Sequence, residues 1–201
     1  YKGAKPVLWS VVEQTALAEA EVEYHDHRSN TVWVRFPVVK PSRPELAGAA
    51  AVIWTTTPWT LPGNRAIAYS AELEYAVIRP TMVGRDDPKM GDQPGVIGPG
   101  LGELLLVAEG LLPDFAKATG IIQYDTVASF KGTALAGTVA RHPLHGQGYD
   151  FPVPLLAADF VAADTGTGLV HIAPGHGAED WELGQANGLP VPDTVGPEQP
   201  G

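Results

Sequence analysis

The feature that most limits the fold is a side-chain period of two, which recurs along most of the chain and is interrupted every few residues by glycine or proline. Residues 31–39, TVWVRFPVV, alternate apolar and polar types and are rich in β-branched side chains. Such alternation puts one set of side chains on each face of a pleated strand. Pro37 lacks the N–H of a ladder bond and so suits an edge or a strand end. Residues 49–57, AAAVIWTTT, hold too many β-branched side chains for a comfortable helix and stop at Pro58. Further strands are expected at 65–69, 75–79, 104–108, 121–124, 155–161 and 169–173. Helical signals are confined to 13–23, rich in Ala and Glu, to 111–119, stopped by Gly120, and to 178–187, stopped by Gly188. The fold class is therefore mixed and mainly β, a β-barrel-like core with a few short helices.

Composition removes several functional classes. Thirteen Lys and Arg against 23 Asp and Glu give a formal charge of -10, which argues against a free-standing nucleic-acid binder, because neutralising many phosphates takes clustered cations. The absence of cysteine excludes a disulfide framework, thiolate zinc sites and cysteine nucleophiles together. No apolar run approaches the roughly 18 residues of a membrane span, and no signal-peptide pattern opens the chain. No membrane partner and a cytoplasmic location are expected. Residues 84–100, dense in Gly, Pro and Asp, read as an exposed variable loop without chemistry. The missing initiator methionine and the proline-rich stretch 190–201 read as the two ends of a segment cut from a longer protein.

Two stretches could carry chemistry. In the first, Trp54-Thr55-Thr56-Thr57-Pro58-Trp59-Thr60, followed by Leu61-Pro62-Gly63-Asn64-Arg65, threonines end a strand at a proline with indole surface on both sides. Hydroxyls and backbone beyond the last ladder bond suit a ribose, a carbonyl or a bound water. The same residues also read as a plain β-branched edge strand before a turn. In the second, Asp164 to Asp180, Gly166 and Gly168 flank Thr167 and let backbone come close to a ligand. His171 falls mid-strand, and His176, Glu179 and Asp180 gather at the start of the last helix. Taken singly, a core histidine and dipole-partnering acids explain these equally well. His171 and His176 with Asp180, or His142 with His145, offer nitrogen and oxygen ligands for zinc. The intervening Ala-Pro-Gly and the lack of an HExxH pattern weigh against a metallohydrolase, and no GxSxG elbow supports a serine triad.

Together WTTTPWTLPGNRAI and GTGLVHIAPGHGAED, in that order and about a hundred residues apart, closely resemble the editing domain of bacterial isoleucyl-tRNA synthetases, the connective-peptide insertion of a class I catalytic fold. KPVLWSVVEQTALAEAEVEY resembles the start of that insertion, so the similarity spans nearly the whole chain. The resemblance implies an opening segment at 1–30, the editing domain at 31–189 with a variable insertion at 84–100, and an exit linker at 190–201. It implies hydrolysis of valine wrongly attached to isoleucine tRNA, and of valyl-adenylate. The partners implied are the 3′ aminoacylated end of that tRNA and the remainder of the synthetase; no cofactor and no metal are implied. Position by position, Asp180 matches the acid that pairs with the substrate α-ammonium, and His171 matches the residue that turns isoleucine away. Thr55, Thr56 and Thr57 match the threonine strand that cradles the terminal adenosine, the ester and the attacking water. Trp59 and Thr60 match the adenosine side, Asn64 an editing position, and Gly166, Thr167 and Gly168 the loop whose backbone approaches the substrate. A module that holds a tRNA end without hydrolysing it stands as the alternative.

Overall fold

Strands β1 (Trp9–Ser10) and β2 (Thr15–Ala16) form a small separate hairpin. The others are β3 (Val32–Lys40), β4 (Ala49–Thr55), β5 (Ala66–Tyr69), β6 (Glu74–Val83), β7 (Leu104–Ala108), β8 (Ile121–Lys131), β9 (Val139–Arg141), β10 (Pro152–Ala157) and β11 (Leu169–Ile172). Two helices accompany them, α1 (Leu112–Thr119) and α2 (Ala178–Ala186). These elements come from a computed structural model that describes residues 7–10, 12–26, 30–84 and 100–192.

Nine strands make one sheet in the order β11-β5-β10-β9-β3-β4-β7-β6-β8. The sheet curls until β11 packs against β4 without ladder pairing. The six strands from β11 to β4 thus close a barrel with one unpaired seam, and β7, β6 and β8 extend beyond it as a wing. The seam is stitched near its end where the Ala108 amide donates to the Thr167 carbonyl at 2.8 Å.

The period of two sorts the side chains between two apolar layers. Ala51 and Ile53 of β4, Tyr75 and Val77 of β6, and Leu106 of β7 face the main core. Their neighbours Val52, Ala76, Ile78, Leu105 and Val107 face the other way, under Leu112, Phe115 and Ala116 of α1. Strands buried on both faces read as unbroken apolar runs rather than clean alternation, which is why LLLVA and AIAY carry no polar residue. Helix α1 stops at Gly120, whose φ of 72° is the left-handed cap expected of glycine. A third, smaller layer joins Ala66, Ala68 and Ile172 to Leu183 of α2.

Four expectations need correction. Residues 13–23 form no α-helix; they hold β2 and a single 3-10 turn, Glu19–Glu21, with none of that turn buried. Ala and Glu favour a helix, but a short one without an apolar face to cover is not stable in water. The strand expected at 155–161 lies at Pro152–Ala157, where Leu155 pairs in parallel with Ile67 of β5 and Pro152 pairs antiparallel with Arg141 of β9. β8 runs on to Lys131 because β6 offers it a partner over its whole length. β4 ends at Thr55, so Thr56 and Thr57 lie beyond the ladder. Most of the 84–100 loop and the end of the exit linker fall outside the described residues.

Candidate functional site

Where β4 ends, the chain turns back on itself through threonine hydroxyls. The Thr57 amide donates to Thr55 Oγ1 at 3.1 Å, and the two hydroxyl oxygens lie 3.2 Å apart. Proline at the first position then starts a tight turn, Pro58–Gly63. Within it Thr60 Oγ1 donates to the Thr57 carbonyl at 2.8 Å and sits 2.9 Å from His171 Nε2.

That arrangement assigns the tautomer of His171. The Thr60 proton is committed to a carbonyl, so the imidazole Nε2–H is the donor between them and Nδ1 is left as an acceptor. Asn64 Nδ2 faces that Nδ1 at 3.5 Å while donating to the Ala66 carbonyl at 2.8 Å. His171 stands opposite Ile67 in the ladder, on the same face as Leu169, and is only 8% exposed. Burial, helped by the nearby His176 and His142, pushes its pKa down to about 4, so the ring is neutral. Asn64 is fully buried, and among the described residues its Oδ1 has no hydrogen-bond partner.

The depressed pKa links to stability with a definite sign. An unfolded chain takes up a proton on this histidine near pH 6.5, whereas the folded chain refuses it until about pH 4. The contribution is thus fully present above pH 6.5 and lost as pH falls toward 4, with a slope of up to ~1.4 kcal/mol per pH unit. Urea unfolding at pH 7 and pH 5 is expected to show His171→Ala losing less stability than the unmutated chain over that interval; equal losses would dismiss His171 as the source.

The unpaired seam leaves a cleft of about 270 Å³, lined among others by Trp54, Phe160, Thr165, Gly166, Glu179 and Asp180. Gly166 has φ 75°, and a Cβ on it would come to 3.5 Å from the Trp54 ring. Gly168, with φ 71°, is pressed so closely on Ala108 that no side chain fits there. Thr167 is fully buried; its hydroxyl donates to the Leu169 carbonyl, so this residue presents backbone to the cleft.

Asp180 occupies the first turn of α2, where a negative charge is favoured by the helix dipole. Its Oδ2 accepts the Ala173 amide at 2.9 Å, which ties the helix start to the strand end two residues beyond His171. Partial burial raises its pKa; the Ala173 bond opposes that, Glu179 adds to it and His176 opposes it. A half-buried acid at the rim of a cleft is suited to hold a cation.

Thr55, Thr57, Thr60, Asn64 and His171 therefore form one hydrogen-bonded network, while Gly166, Thr167, Gly168 and Asp180 line the seam cleft. The Ala173 segment joins the two groups. Thr56 and Trp59 are exposed, Trp59 by 66%, on the outside of the same turn. Of the cleft-lining residues, Trp54 and Glu179 stand in the two stretches singled out in the sequence but carried no assigned role there, and Phe160 was not singled out at all. Trp54 precedes Thr55 by one residue and so takes the opposite face of β4; Phe160 sits in no motif. The two close histidines part company: His142 is buried against Leu61, whereas His145 pairs with Asp150 on an exposed loop at 2.9 Å. Among the described residues no three His, Asp or Glu side chains converge to hold a metal ion.

Residues 115–200 match the family model described as "Leucyl-tRNA synthetase, editing domain". The chain is 46% identical over 199 residues to the isoleucine–tRNA ligase of Gluconobacter oxydans (strain 621H), covering 97% of this chain and 20% of that protein. It is 50% identical over 182 residues to that of Agrobacterium fabrum (strain C58 / ATCC 33970), covering 90% and 18%. In shape it resembles the solved structure of GlLeuRS-CP1, with a TM-score of 0.56 at 16% identity over 80% of this chain and 63% of that one. The editing domain of the P.knowlesi cytosolic leucyl-tRNA synthetase gives a TM-score of 0.50 at 13% identity, covering 72% and 54%. The sequence matches thus define the chain as an editing domain of an aminoacyl-tRNA synthetase, and the fold is the one those solved structures share. Within that class the chain belongs with the isoleucine–tRNA ligases, and it spans about a fifth of the length of these curated relatives.

Proposed function

We propose that this domain hydrolyses valine misattached to isoleucine tRNA, and valyl-adenylate, at the seam between β4 and β11. One methylene separates isoleucine from valine and is worth only about 1–3 kcal/mol in an apolar pocket, a limit for which this very pair of amino acids is the standard case. A second site must therefore admit the smaller side chain and refuse the larger. The observation that carries the reading is the half-buried Asp180 at the cleft rim, tied through Ala173 to the strand that holds His171. Asp180 pairs with the α-ammonium, and the His171 ring, which lies in the adjoining threonine network and not on the cleft lining itself, limits the side chain admitted.

His171 serves by shape and not as a base. Its Nε2–H is given to Thr60 and its Nδ1 is covered by Asn64, so neither nitrogen offers a lone pair to a water. The attacking water is instead positioned by the threonine hydroxyls beyond β4 and the backbone of the Gly166 loop. Its oxygen bonds to the ester carbonyl carbon, the bond to the ribose oxygen breaks, and that oxygen takes up the proton the water gives up. A vicinal ribose hydroxyl of the substrate is the natural carrier of that proton.

Incubating the chain with valyl- and isoleucyl-tRNA made on isoleucine tRNA, and following release of each amino acid, tests the reading. Valine is expected to be released and isoleucine spared. Binding of the tRNA end with no loss of valine would leave the non-hydrolytic module as the better description.

A further inference from the structure

His142 lies outside both the cleft and the threonine strand, yet its bonds converge on the turn that grips His171. It is 1% exposed. The Leu144 amide donates to its Nδ1 at 3.1 Å, which leaves Nε2–H as the donor to the Leu61 carbonyl at 3.0 Å. The same carbonyl accepts the Asn64 amide at 2.9 Å. Leu61 thus carries the oxygen that closes the turn between Thr60 and Asn64, the two residues that meet the two nitrogens of His171.

An aromatic cluster backs this contact. His142 stacks on Tyr149 with ring centres 4.8 Å apart and planes 16° from parallel, and it lies 5.4 Å from Phe151. Phe151 in turn carries the Arg65 guanidinium 4.2 Å above its ring, and Arg65 Nη1 donates to the Pro62 carbonyl at 3.2 Å and to that of Asn64. Successive carbonyls of one turn are therefore held from one cluster, Leu61 by His142 and Pro62 by Arg65.

We propose that His142 is a positioning residue for amino-acid discrimination: by holding the Leu61 carbonyl it fixes the spacing of Thr60 and Asn64, and through them the attitude of the His171 ring that refuses isoleucine. The proposal rests on the editing function above. Burial also keeps His142 neutral by lowering its pKa, so the clamp does not loosen at neutral pH. The tilt of a ring that separates two substrates by one methylene has to be held closely, since small displacements of a positioned group are costly in rate.

Two variants separate the bond from the packing. His142→Phe keeps a stackable ring and loses the donor; His142→Gln keeps an amide donor and loses the ring. The ratio of isoleucyl- to valyl-tRNA deacylation is expected to rise about tenfold in His142→Phe and to stay near the unmutated value in His142→Gln. An unchanged ratio in His142→Phe, or a rise in both variants alike, would overturn the proposal, the second pointing to ring packing. A readout independent of catalysis is the ¹⁵N-edited signal of the His171 Nε2–H. It should be protected from solvent exchange in the unmutated chain and in His142→Gln, and lost in His142→Phe. If the unmutated chain deacylates neither tRNA, the functional reading fails, and this signal alone decides the clamp: persistence in His142→Phe refutes it and selective loss upholds it.

Discussion

Replacing Asp180 by Asn is expected to lower kcat/KM for valyl-tRNA deacylation about a hundredfold, roughly 3 kcal/mol, with little change in melting temperature. The asparagine carbonyl can still accept the Ala173 amide that Asp180 Oδ2 accepts at 2.9 Å, so the junction between β11 and α2 is kept. What is lost is the charge opposite an ammonium, in a place where partial burial has removed some of the competing water. Asp180→Ala removes both the charge and the acceptor, and should add a loss of stability of ~1 kcal/mol. Because burial raises the Asp180 pKa, valine release should also decline on acidification sooner than it would with an unshifted aspartate, since only the ionised form holds the ammonium. Deacylation rates measured beside thermal melts check this. Full activity in Asp180→Asn would mean that the carboxylate acts only as a structural acceptor.

The charge of -10 fits this picture only if the domain handles a short end of the tRNA. A substrate held by one ammonium, one ribose and one side chain needs few phosphate contacts, and the long basic surface that tRNA affinity demands is not required of a segment spanning about a fifth of its relatives. The acidic bias that argues against an independent nucleic-acid binder is compatible with an active site built around a cation.

Legibility in the sequence followed burial. Alternation marked β3, whose residues are mostly half-buried, whereas β4, β6 and β7, packed on both faces, were legible as apolar and β-branched runs. The three-residue β9 carried too little pattern to be seen. The 13–23 stretch was misread because propensity was taken as sufficient where no packing supports it. In the site, Thr55, Thr57, Thr60, Asn64 and His171 share a hydrogen-bonded network and Gly166, Thr167, Gly168 and Asp180 line a cleft, while Thr56 and Trp59 lie exposed outside that cleft. Phe160 and the His142 contact stayed hidden for another reason: each meets a partner far away along the chain, 81 residues in the case of His142 and Leu61. No local spacing encodes such a meeting. Nor could the sequence tell that Thr167 spends its hydroxyl on Leu169, since that depends on a turn made possible by two glycines at positive φ.

His171→Ala should convert the domain into one that also deacylates isoleucyl-tRNA. In the unmutated chain the ring is held at both nitrogens and buried to 8% exposure, so it cannot swing aside to admit a further methylene without breaking two hydrogen bonds. Truncation to alanine removes the whole imidazole, more volume than the methylene that distinguishes isoleucine. Discrimination worth about 1–3 kcal/mol should disappear, bringing isoleucyl-tRNA deacylation to within roughly tenfold of the valyl rate. The valyl rate itself should fall by much less, because the ring supplies no proton acceptor. Some stability will be lost, about 1–3 kcal/mol, since Thr60 and Asn64 each lose a partner inside the barrel. The valyl rate is the internal control for that loss: a destabilised domain slows on both substrates, whereas an enlarged pocket raises one and spares the other. If isoleucyl-tRNA stays intact with His171→Ala while valyl-tRNA is still cleaved, the limit on side-chain size lies elsewhere in the seam, and the Trp54 and Phe160 walls of the cleft become the next residues to truncate.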